Sequence, residues 1–200
     1  MIISVNPYTE KVIRRYKAQN LSNCEDKISK ARSTLDSWKR LSVKERVKYI
    51  QGLIPVLKKN RERYAKIMTL ETGKVIKESL SEVDKCIWVC EYYSFHGPKF
   101  LKGRNVKTRD YKKSLVTYEP LGVILEIMPW NFPFWQALRS IVPTVLAGNV
   151  CVLKHSSSVP GTALEIEKLF LKAGFPKNVV NTLLITSEVS DKLIENDLVD

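Results

Sequence analysis

The sequence predicts an α/β fold in which helical hairpins precede a doubly wound parallel sheet. Three observations carry this. Between Ser22 and Phe95, apolar residues recur at helical spacing. From Leu121 onward, short apolar runs alternate with helix-length patterns, the arrangement of a parallel sheet with crossover helices. The stretch from Glu126 to Lys154, EIMPWNFPFWQALRSIVPTVLAGNVCVLK, completes a strand–turn–helix–strand unit. Its stiff Pro-Trp-Asn-Phe-Pro turn lies at the carboxyl end of a strand, where open α/β sheets bind ligands.

Residues 2–18 read as an extended hairpin, with Asn6-Pro7-Tyr8-Thr9 as its turn. Ser22 opens a helix with Glu25 completing a capping box, and Ile28, Ala31, Leu35 and Trp38 line its apolar face. Ser42 and Glu45 repeat the box for a second helix, which Pro55 is expected to kink. Asn60 is the expected cap of a third, ending at Gly73. A fourth should run from about Val75 to Phe95, with Leu80, Val83, Ile87, Trp88 and Val89 apolar, and stop at His96-Gly97-Pro98. Residues 99–113 form a basic link, and residues 114–119, SLVTYE, a strand.

In the second half, Leu121–Met128 is a strand and the helix after the turn reaches about Ala147, with Gly148-Asn149 as its stop. Val150–Leu153 is the next strand, ending on Lys154. A helix over about 161–173, a strand over 178–185 and a helix from Ser187 to about Asn196 follow. Leu198, Val199 and Asp200 read as the start of a fourth strand, so the sheet is expected to stop mid-fold with an edge unpaired.

The 200 residues are 44% hydrophobic and 27% charged, a globular composition that excludes general disorder. No run reaches the about 18 apolar residues of a membrane span. The start, MIISVNPYTEK, lacks the features of a signal peptide, so a cytoplasmic protein without membrane attachment is expected. Residues 1–118 hold 27 Lys+Arg against 12 Asp+Glu, and residues 119–200 hold 6 against 9. A basic half invites an anionic partner such as nucleic acid. These cations fall at amphipathic-helix spacing without a nucleic-acid motif, so a solvated surface is the expectation and nucleic acid is not an expected partner.

There is no G-x-S-x-G elbow, P-loop or G-x-G-x-x-G. Cys24, Cys86, Cys90, Cys151, His96 and His155 give no metal-ligand spacing, so no metal is expected. The cysteines read as small buried hydrophobes in a reducing compartment. Asn131 has two readings. Its amide either donates to a developing oxyanion without titrating or caps the following helix. Lys154, followed by His155 and three serines, is either a nucleotide-binding cation or a solvated strand end.

These residues resemble the aldehyde dehydrogenase superfamily. PWNFP, then LAGN, then VLK before a serine-rich turn carry the resemblance, with Leu70-Glu71-Thr72-Gly73-Lys74, the opening V-N-P-x-T, Tyr118-Glu119-Pro120-Leu121-Gly122 and Ala173-Gly174-Phe175-Pro176 in the family's order. K-H-S-S looks most like the succinate-semialdehyde dehydrogenase branch.

The resemblance implies an aldehyde dehydrogenase-like fold. Residues 1–113 would be the hairpin and helical part of the cofactor-binding domain, 114–119 an oligomerisation strand, and 120–200 its Rossmann-like part, with the catalytic domain absent. It implies NAD(P)-dependent oxidation of a small aldehyde, through attack by a thiolate and release by glutamate-activated water. Asn131 matches the oxyanion amide. Ile127, Met128, Pro129, Trp130 and Asn131 match the segment beside the cofactor. Lys154 matches the ribose-binding lysine, with His155, Ser156 and Ser157 in the same turn. Ser157 stands where NAD-preferring members carry a glutamate, so NADP is expected alongside NAD. Trp135 and Arg139 would face the substrate. The complete protein would be a homo-oligomer, a dimer or tetramer. The nucleophile and activating glutamate match nothing here, so the alternative is a truncated or split-gene product, inactive alone, that binds nucleotide or complements a second chain.

Overall fold

The computed structural model describes residues 1–109 and 111–200; residue 110, within the expected link, lies outside the described residues. The elements are β1 (Ile2–Val5), β2 (Val12–Tyr16), α1 (Leu21–Lys39), α2 (Val43–Lys59), α3 (Arg61–Thr72), α4 (Ile76–Phe100), β3 (Arg104–Val106), β4 (Ser114–Val116), β5 (Val123–Met128), α5 (Pro133–Leu146), β6 (Val150–His155), α6 (Pro160–Lys172), β7 (Val180–Leu183) and α7 (Ser187–Ile194). β1 pairs antiparallel with β2, and β3 with β4. β5, β6 and β7 form a parallel sheet in that order. With the strand order running in one direction, crossovers of the usual right hand put α5 and α6 on the same face. α1 packs across all three strands.

The helical half and the sheet share one core. Val150, Cys151, Val152 and Leu153 of the central strand are fully buried, as a strand covered on both faces must be. Trp38 and Tyr64 reach into the same core; the Tyr64 ring lies 4.9 Å from Phe134. The Trp38 indole donates to the Val145 carbonyl at 3.0 Å. The change of pattern near residues 114–119 therefore separates kinds of element, not hydrophobic cores.

Some local expectations hold and others are corrected. Asn20, not Ser22, caps α1, its Oδ1 accepting the Asn23 N–H at 2.9 Å. The Ser42–Glu45 box forms in both directions. α2 continues across Pro55. Asn60 does not cap α3: its side-chain N–H donates backward to the Val56 carbonyl at 2.8 Å, closing α2. Gly73 ends α3 with a φ of +72°, as expected of a left-handed cap. α4 runs through Gly97 and Pro98 to Phe100. Gly97 is there for close approach: a Cβ would lie 2.2 Å from Leu146 Cδ2. Trp88, expected on the apolar face, is 56% exposed. The basic link contains β3, and the strand expected over 114–119 stops at Val116. No side chain caps α7, at Ser187 or at its N-cap Thr186. Asp200 is not in a strand, but its N–H donates to the Val123 carbonyl at 3.0 Å, alongside β5. Among the described residues, no helix is long and apolar enough to cross a membrane.

Candidate active site

β5 and β6 run in register, with Met128 opposite His155, so the turns that follow them lie side by side. The Ser156 N–H donates to the Met128 carbonyl at 3.0 Å and stitches the two together. The Ser156 N–H also reaches His155 Nδ1 at 2.9 Å. Acceptance at Nδ1 puts the proton on Nε2, which donates to the Pro133 carbonyl at 2.9 Å. Burial drives the imidazole pKa down to about 4, so the ring is neutral at physiological pH. His155, expected in the cofactor turn, is thus a buried brace between the end of β6 and the start of α5, and both ring nitrogens are engaged within the fold.

The turn from Pro129 leads directly into α5, with Pro133 in its first turn. Phe132 occupies the N-cap position and no side chain caps the helix, so the capping reading of Asn131 is not what the fold uses. Asn131 is exposed at the wall of a cavity of about 590 Å³, shared with Phe132, Trp135, Glu82 and Lys85. The neighbouring cavity, about 420 Å³, is lined by Trp135, Arg139, Met128, Trp88 and Tyr92. Trp135 belongs to both, so Asn131, Trp135 and Arg139 border one groove between α4 and α5. Ile127 and Trp130 present exposed apolar surface at the same edge.

The start of α5 is held from α4. Glu82 accepts the Trp135 N–H at 3.0 Å on one carboxylate oxygen and Lys74 Nζ at 2.5 Å on the other. The start of α6 is held from α3. Glu71 accepts the Gly161 N–H at 2.9 Å, the Thr162 N–H at 2.8 Å and the Thr162 and Ser4 hydroxyls at 2.8 Å. Helix N-termini are natural phosphate sites, but both here are filled by the protein's own carboxylates. At the end of β6, the half-buried Lys154 and the hydroxyls of Ser156, Ser157 and Ser158 offer donors to an anionic or ribosyl ligand. Glu71, Lys74 and Glu82 escaped the sequence reasoning as structural residues. A signal existed: Glu71 shares a helix face with Tyr64 and Met68, and Glu82 with Ser79 and Cys86. A carboxylate on a core-facing stripe must have partners elsewhere.

All four thiols are buried. Burial raises the Cys24, Cys86 and Cys151 thiols and pushes Cys90 up to about 12. None supplies a thiolate at neutral pH. Beneath α5, Glu126 is also raised by burial, against the Ser140 hydroxyl that donates to it at 2.6 Å.

The family model described as "Aldehyde dehydrogenase family" matches residues 1–200. A probable succinate-semialdehyde dehydrogenase [NADP(+)] of Synechocystis sp. is 39% identical over 196 residues, covering 98% of this chain and 43% of that protein. The succinate-semialdehyde dehydrogenase [NADP(+)] of Mycobacterium leprae is 32% identical over 197 residues, again 98% and 43%. The crystal structure of succinic semialdehyde dehydrogenase from Streptococcus pyogenes in complex with NADP+ superposes with a TM-score of 0.94 at 30% identity, covering all of this chain and 44% of that one. A point mutant of betaine aldehyde dehydrogenase from Staphylococcus aureus in complex with NAD+ gives 0.93 at 30% identity, with 99% and 41% covered. The chain thus spans less than half the length of these relatives.

Proposed function

The chain belongs to the aldehyde dehydrogenase family, and from that premise we propose that it supplies the cofactor-binding part and the oxyanion amide of an NAD(P)-dependent enzyme. That enzyme oxidises a small aldehyde, succinate semialdehyde, to its carboxylic acid in the cytoplasm. The observation that carries the reading is Asn131: a primary amide with no capping duty, at the wall of a cavity it shares with Trp135. Its N–H donates to the aldehyde oxygen as negative charge develops there, and an amide does so at any physiological pH. Arg139, in the adjoining cavity, offers a bidentate partner for the distal carboxylate of the substrate.

The donor set fits a dinucleotide. Lys154 would hold its ribose, with the Ser156 and Ser157 hydroxyls beside it and Ile127, Met128, Pro129, Trp130 and Asn131 along its other end. His155 braces the turn that presents them. A nicotinamide cofactor held there would supply the hydride acceptor. Ser157 sets no carboxylate against a 2′-phosphate, so NADP is accepted alongside NAD. Relatives named as NADP(+) enzymes at 39% and 32% identity support this. A tryptophan-fluorescence titration tests it. Both nucleotides should bind, and Ser157→Glu should weaken NADP about tenfold, roughly 1.4 kcal/mol, while sparing NAD. NAD binding far tighter than NADP, with no sharpening by Ser157→Glu, would overturn the reading.

A second reading concerns the chain alone, and the burial of every thiol supports it. The nucleophilic cysteine and the activating glutamate come from sequence matching the rest of the relatives, on the same polypeptide or a complementing one, in a homo-oligomer. The 200 residues by themselves then bind nucleotide without turnover. Formation of NADPH from NADP and succinate semialdehyde by this chain alone would refute that.

A further inference from the structure

Lys74 and Glu82 form an ion pair whose side chains are only 9% and 2% exposed. Neither residue lies in the strand–turn–helix unit that carries Asn131. Lys74 follows Gly73 at the end of α3, and Glu82 stands on α4. Each grips the entry to α5. Glu82 accepts the Trp135 N–H at 3.0 Å. Lys74 Nζ sits 3.9 Å from the centre of the Phe132 ring, a cation over an aromatic face. Phe132 is the residue after Asn131, and Trp135 is in the first turn beyond it. Burying two charges gains little stability by itself, because desolvation offsets their attraction. What this pair adds is geometry, since one carboxylate and one ammonium tie α3, α4 and the start of α5 to a single point beside Asn131.

We infer that Lys74 and Glu82 are positioning residues that fix the orientation of the Asn131 amide. The inference rests on the proposed oxyanion role of Asn131 and extends it to two residues that touch no substrate. Their effect on turnover follows from distance, because a misplacement of about 1 Å lowers a rate about 10²-fold.

The first test needs no catalysis. In the 200-residue chain, the side-chain amide of Asn131 is followed by nitrogen-15 NMR in the parent, Glu82→Gln, Lys74→Met and the double variant. The double variant replaces the pair by neutral groups and keeps an acceptor for the Trp135 N–H, so it preserves the fold where a single variant leaves an unpaired buried charge. The Asn131 amide signals should shift from their parent positions in all folded variants, and exchange of the Trp135 N–H should quicken at least about tenfold in Lys74→Met or Glu82→Gln. Unchanged Asn131 signals in the folded double variant would overturn the inference. The second test uses the full-length enzyme. Glu82→Gln should lower kcat about 10²-fold with the NADP Kd unchanged, and should add nothing in an Asn131→Ala background. Additive losses would reduce Glu82 to a structural role. If Asn131→Ala itself leaves kcat unchanged, the oxyanion reading fails, and the amide spectrum alone decides whether the pair positions the turn.

Discussion

At Asn131, one exposed amide meets a cavity wall without any hydrogen-bonding duty at the helix end. On the oxyanion role proposed for it, Asn131→Ala in the full-length enzyme should lower kcat about 10²–10³-fold, roughly 3–4 kcal/mol, with KM little changed, because such a donor acts only where charge develops. His155 makes a different kind of prediction. Its pKa is lowered from 6.5 to about 4, so the unfolded chain binds the proton more readily. The stability this neutral ring contributes is full above pH 6.5 and is lost as pH falls toward 4. The loss is on the order of 3 kcal/mol, and His155→Leu should remove that part of the pH dependence in urea titrations. Motif resemblance alone singles out Asn131 and Lys154. It does not give the role of His155, because the same K-H-S-S string suits a ring facing a ligand or a ring facing the core. Only the Pro133 carbonyl, 22 residues away, decides between them.

Two helices in this molecule, α5 and α6, have their N-termini closed by side chains distant in sequence. Glu71 serves α6 across 90 residues, and Glu82 serves α5 across 53. Glu71→Ala should leave the buried N–H groups of Gly161 and Thr162 unpaired and lower stability by about 3 kcal/mol in denaturant melts. Gly97→Ala should also destabilise, by about 1–3 kcal/mol, although alanine is the better helix former. The added carbon meets Leu146 of α5. Local devices such as the Ser42–Glu45 box were readable because donor and acceptor lie three residues apart. The length of α4 was misread because Gly97-Pro98 looks like a stop when the neighbouring helix is out of view.

For the molecule as a whole, one core joins the basic helical half to the parallel sheet, so ligand binding at the sheet edge should stabilise both together. NADP at 100-fold above its Kd should add about 2.7 kcal/mol to unfolding, seen as a single shifted transition in a thermal melt. A transition that splits, with only one part moving, would contradict the shared core. The sequence by itself determined most of the helices and the strands of the parallel sheet, the stiff turn that carries Asn131 and the family. Those follow from hydrophobic period, turn chemistry and motif order, all short-range properties of the chain. Tertiary structure decided which carboxylates occupy the helix N-termini, that His155 braces the turn, and that Asn131 shares a groove with Trp135 and Arg139. Those depend on partners far apart in sequence, which backbone periodicity does not encode and only packing brings together.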